Sequence, residues 1–131
     1  LVSLSSRQAM STPLLLSMTK AVDYLGDIQS AHQLLTTLES TLSSDFSQIE
    51  TAIQANDFEL LKTKWHQFKG FAPVFCADAL VEEIFKTESL CKKTASNSDR
   101  QEALHASVNL LSQLKLLQLE VLAQLAKPFQ A

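Results

Sequence analysis

Apolar residues recur at every third or fourth position through most of the chain. The clearest run is Leu35, Leu38, Leu42, Phe46, Ile49 and Ile53, which traces one stripe along a helix. It predicts a single long helix from about Ile28 to Ala55, with Asp27 as its cap and a stop near Asn56. Upstream, Thr12 before Pro13 forms a start signal, and Leu15, Met18, Val22 and Leu25 follow at helical spacing. With Gly26 as a stop, a short helix over Pro13 to Tyr24 is expected. Asp57 opens a third helix whose stripe is Leu61, Trp65, Phe68, Ala72 and Phe75. A fourth spans about Asp78 to Lys93 on Leu80, Ile84 and Cys91.

The last helix is predicted from about Asp99 to Ala126, with Ser98 and Gln101 as a capping box. Leu110, Leu114, Leu117, Val121 and Leu125 line one side of it, and Leu104, Val108, Leu111 and Leu122 widen that side. Pro128 ends it. Residues 1–12 read as a linker or tail, and 13–131 as the domain. Four main helices with short connections predict an all-α, antiparallel up-down four-helix bundle with a short additional N-terminal helix.

Composition narrows this further. A chain of 131 residues suits one core, and 46% hydrophobic with 19% charged residues marks it as globular. Two Gly and three Pro are too few turn formers for a many-stranded β protein. A net charge of -3 without a basic stripe argues against a nucleic-acid partner. No apolar run approaches the roughly 20 residues of a membrane span, so no membrane contact by this domain is expected. A secretory signal is also not evident. Cys76 and Cys91 form no C-x-x-C motif and read as core residues of a cytoplasmic protein. A chain opening at Leu1 reads as an excised piece or a processed product.

The chemistry concentrates in one stretch, "WHQFKG". At roughly 100° per residue, Lys62, His66, Lys69, Gly70 and Pro73 gather on a polar face beside the third helix's apolar stripe. Glu88 falls in the apolar line of the fourth helix, four after Ile84 and three before Cys91, so it needs a partner. His66 is a candidate nucleophile through a ring nitrogen. Lys69, one turn on, brings positive charge to whatever the ring carries. Gly70 removes a side chain where another protein's backbone would approach. Glu88 is suited to accept the proton of the other ring nitrogen and so leave the outer one nucleophilic.

Other chemistries fit less well. His32 and His105 read as exposed or edge residues, no H-x-x-x-H pair exists and the cysteines match no zinc spacing, so no metal is expected. A chain with two glycines offers neither a nucleophile elbow nor a phosphate-binding loop. The combination describes a histidine prepared to carry an anionic group, and a phosphoryl group fits best.

At this point the sequence resembles histidine phosphotransfer (HPt) domains, the relay modules of multistep two-component signalling. His66, Lys69, Gly70, Leu80 and Glu88 stand at positions matching that family's core pattern. The upstream stretch from Tyr24, with its Gly-Asp helix start and the Asp57 opening of the histidine helix, is also similar to it. The likeness runs from about Val22 to the end of the fourth helix. It implies that His66 is phosphorylated, that Lys69 balances the phosphoryl charge and that Glu88 orients the imidazole. It further implies that Lys62, Gly70 and Pro73 belong to the docking surface. The implied partners are receiver domains of a response regulator or hybrid kinase, which bring an aspartate and Mg²⁺. The domain itself is then a phosphocarrier that binds no cofactor and is not an enzyme. The expected parent is a hybrid sensor histidine kinase with this domain at its cytoplasmic C-terminus, and a free-standing protein is the alternative.

The chain departs from the family pattern at four places. Cys76 stands where the family has a later glycine, Phe71 and Pro73 replace small residues, and Trp65 reads as core and as a wall for the imidazole. Pro73 is expected to kink or end the helix. A left-handed backbone at Cys76 would cost about 1 kcal/mol or more, so a rebuilt junction is expected there. A reading from another class is a helical interaction module, a pseudo-HPt domain, that binds a partner without accepting phosphate.

Overall fold

The computed structural model describes residues 15–127. They form five helices: α1 (Met18–Leu25), α2 (Ile28–Gln54), α3 (Phe58–Phe75), α4 (Asp78–Lys92) and α5 (Asn97–Ala126). No strand occurs among the described residues, only an isolated antiparallel bridge between Leu16 and Cys76.

Local chemistry accounts for most of the helix ends. The Asp27 carboxylate accepts from the Ser30 N–H at 2.7 Å, and Asp57 accepts from Leu60 N–H at 3.1 Å. Each satisfies one of the donors that a helix start leaves open. Gly26 stops α1 in the left-handed conformation, φ 96°, where a side chain would be strained. At the head of α5 the cap is Ser96, whose hydroxyl accepts from Asp99 N–H. The expected cap Ser98 already lies inside the helix. The two serines stand two residues apart in the same polar loop, and periodicity alone does not choose between them.

The main helices pack in a ring. α3 lies against α4, α4 against α5, α5 against α2, and α2 against α3, while α1 covers α2 and α3. Leu35, Leu42, Ile49, Leu61, Trp65, Phe68, Phe75, Leu80, Ile84, Leu110, Leu114 and Leu117 are fully buried between them. Trp65 is therefore core. Its indole N–H donates to the Ser107 hydroxyl of α5 at 3.1 Å, which answers the ring's one polar atom.

Several expectations change. Residues 15–17 lie outside the helix, so α1 begins only at Met18, capped by Ser17. Thr12, Pro13, Pro128 and the 1–12 linker lie outside the described residues. Phe46 and Ile53 sit only half-buried at the edge of the core. Val108 and Leu122, assigned to the inner side of α5, are exposed. The core takes Ala103 and Ser107 instead, because the inner face of α5 is narrower than the leucine pattern suggests. Asp45 and Lys64, which the stripes ignore, make a buried ion pair at 2.9 Å that ties α2 to α3.

Pro73 does not end the helix where it stands, while the junction at Cys76 is rebuilt as expected. α3 continues two residues past Pro73, and the Cys76 N–H still bonds the Ala72 carbonyl at 2.8 Å. Proline in the last turn removes only the bond to the Lys69 carbonyl. Cys76 itself is extended, with φ -100° and ψ 148°, so no left-handed strain arises. The segment before α1 holds it there. Ser17 N–H donates to Phe75 O at 2.7 Å, and Ala77 N–H to Leu15 O at 2.8 Å. Glu120 of α5 in turn accepts from the N–H groups of Leu15 and Leu16. Both cysteines are free and buried. Burial pushes the Cys76 thiol up to about 12, against a smaller opposing pull from Lys20, which makes it a poor nucleophile.

Candidate functional site

His66 lies midway along α3 on the face turned away from Trp65 and Phe68, and its side chain is 67% exposed. The adjacent helix α4 is set by Leu80, Ile84 and Cys91 in the core. That register carries Glu88 to the seam between the helices, where its side chain is only 3% exposed. The buried acid meets the imidazole there, with His66 Nδ1 2.8 Å from Glu88 Oε2.

The acid's ionisation decides the tautomer. The Lys69 ammonium, 2.8 Å from Oε1, is the main cause holding the Glu88 carboxyl down at about 2. Burial opposes it, and the bond to His66 adds to it. An ionised carboxylate can only accept, so Nδ1 must be the donor. A neutral ring then presents its lone pair at Nε2, the nitrogen that Glu88 does not engage.

The lysines divide between two roles. The resemblance places Lys69 over whatever the ring carries. Here its ammonium sits on Glu88 and over the Phe85 ring, 5.3 Å from the centroid. Lys92, four residues after Glu88, approaches Oε2 only to 3.5 Å and is half-exposed. Lys62 pairs with Glu59 at 2.8 Å. Lys62, Thr63, His66, Glu88 and Lys92 line an open depression of about 390 Å³. Lys92 and Thr63 do not stand out in the sequence. The i, i+4 spacing of Glu88 and Lys92 was the available signal, but it is a common one on helices.

Gly70 lies exposed one turn from His66, and a Cβ built on it would meet no atom within 4 Å. Nothing among the described residues therefore requires a glycine there. Pro73 is also exposed, and its missing N–H leaves the Lys69 carbonyl without its usual helical donor. The two together leave a stretch of backbone open to approach. Trp65, the suggested wall for the imidazole, is occupied in the core. His32 is half-buried and His105 exposed, both on other helices. Among the described residues no group of three or more His, Cys, Asp or Glu side chains could hold a metal ion. Nor is any described helix long and apolar enough to cross a membrane.

Comparison with known proteins adds one match. The family model described as the Hpt domain covers residues 33–127, which include His66, Lys69, Gly70, Glu88 and Lys92. No curated protein and no solved structure matches the chain.

Proposed function

The chain belongs to the Hpt domain family, and from that premise we propose that it carries a phosphoryl group on His66 Nε2 between the aspartates of receiver domains. Hpt domains are phosphocarrier modules of phosphorelays rather than enzymes, and they interact with receiver domains. The observation that carries the assignment is the exposed imidazole whose Nδ1 is held at 2.8 Å by an ionised, buried carboxylate.

The Nε2 lone pair attacks the phosphorus of an aspartyl phosphate. The N–P bond forms as the P–O bond to the aspartate breaks, and the departing carboxylate keeps the electron pair. No proton has to leave the ring. Nδ1 keeps its hydrogen, the phosphorylated ring becomes cationic, and Glu88 beside it stabilises that charge. Transfer to the next aspartate reverses the step. Because the reaction depends on positioning and charge stabilisation, a carrier needs little machinery of its own. The Mg²⁺ and the rest of the catalysis belong to the receiver.

Lys69 supports the site by keeping Glu88 ionised, and Lys62, Gly70 and Pro73 form the surface that a receiver meets. In this reading the main helices run antiparallel, up and down, within a domain spanning 13–131 after a short linker. The parent is a hybrid sensor kinase, and the domain works in the cytoplasm. The test is incubation with a phosphorylated receiver and Mg²⁺. Acid-labile, alkali-stable label is expected on the wild-type chain and absent from His66→Gln. Equal labelling of the variant would move the site elsewhere, and docking without any label would mark a pure interaction module.

A further inference from the structure

We propose that Lys92, rather than Lys69, is the cation that contacts the phosphoryl group on His66. This rests on the carrier reading above and assigns a residue within it.

Lys69 is held twice, by the Glu88 carboxylate at 2.8 Å and by the Phe85 ring, and it is 29% exposed. Swinging it outward would take the closest cation away from a carboxylate that is almost wholly buried. Removing one partner of such a group is costly. Lys92 is held loosely. Its 3.5 Å to Oε2 exceeds the roughly 2.7–2.9 Å of a charge-assisted bond, and its side chain is 52% exposed. It also borders the depression beside His66, whereas Lys69 is not on that lining. The other cation on the lining, Lys62, is engaged by Glu59.

A shared oxygen links Lys92 to the reaction. Glu88 Oε2 faces both His66 Nδ1 and the Lys92 ammonium. When Nε2 takes the phosphoryl group the ring becomes cationic, and its bond to Oε2 strengthens. The hold of Oε2 on Lys92 weakens as a dianion appears on the far side of the same ring. The lysine and the imidazole border the same depression, so the ammonium can turn towards the phosphoryl group there. Glu88 and Lys69 remain paired and keep the ring oriented throughout.

Phosphoramidate, a small phosphoryl donor that needs no receiver, tests this on the whole chain. Lys92→Ala should slow uptake on His66 about threefold, the size of an exposed ion-pair effect. It should also raise the pH at which the bound phosphoryl dianion takes up a proton, read by ³¹P NMR. Lys92→Arg should restore both. Lys69→Ala should leave the ³¹P midpoint closer to wild type than Lys92→Ala does. A Lys92→Ala chain that matches wild type in uptake and midpoint overturns the assignment alone, as does a larger midpoint shift in Lys69→Ala. A wild-type chain that takes no label on His66 removes the carrier reading and this assignment together.

Discussion

Gly70 is the residue whose presence the fold explains least. It sits inside α3, where glycine costs about 1 kcal/mol relative to alanine, and an added Cβ would enter open space. Gly70→Ala is therefore expected to raise stability in urea unfolding by up to about 1 kcal/mol. The same variant should accept phosphoryl more slowly from a receiver while its uptake from phosphoramidate is unchanged. Unaltered receiver kinetics would remove Gly70 from the docking surface. The sequence already made this residue legible, along with His66 and Glu88, because each breaks the pattern around it. A glycine weakens a good helix, and a carboxylate interrupts an apolar stripe. Lys92 breaks nothing, since a lysine near a helix end is ordinary, and so the sequence pattern does not mark it.

At the scale of the element, α3 has two jobs on two faces. Trp65 and Phe68 anchor it in the core, and the neighbouring His66 and Lys69 face α4 and solvent. Anchoring fixes where the imidazole stands. Trp65→Ala should lower stability by about 3–5 kcal/mol, through lost burial and the cavity left behind, and it would also remove the indole bond to the Ser107 hydroxyl. Denaturant unfolding measures this, and a loss below about 1 kcal/mol would contradict the core assignment. Element existence and type were legible because amphipathic spacing is a local property. The ends were less so. Ser96 displaced Ser98 as a cap, and α3 outran Pro73, because a terminus depends on which backbone groups find partners outside the helix. The extended Cys76 junction is the clearest case, since residues 15–17, some sixty positions away, supply its bonds.

Across the whole molecule, the cluster on Glu88 couples the site to stability. Its folded-state carboxyl is depressed from 4.5 to about 2, so the stabilisation it brings is fully present above ~pH 5 and is lost as pH falls through 4.5 towards 2. Asp78 adds in the same direction, held down by Lys20 on the surface. Thermal melts should show a nearly constant Tm from pH 7 to about 5 and a fall below it. Glu88→Gln should flatten part of that fall, and an undiminished fall in the variant would assign the acid sensitivity to other groups. What the sequence determined by itself was the all-helical class, the apolar faces and the candidacy of His66, Lys69 and Glu88. Those follow from spacing along one chain. The tertiary structure decided which lysine closes on Glu88, which ring nitrogen is left free, how Asp45 and Lys64 pair, and how the segment before α1 secures Cys76. The reason is that each of these is a contact between helices. Its distance is set by how the helices pack, and the period of a single helix carries no record of that.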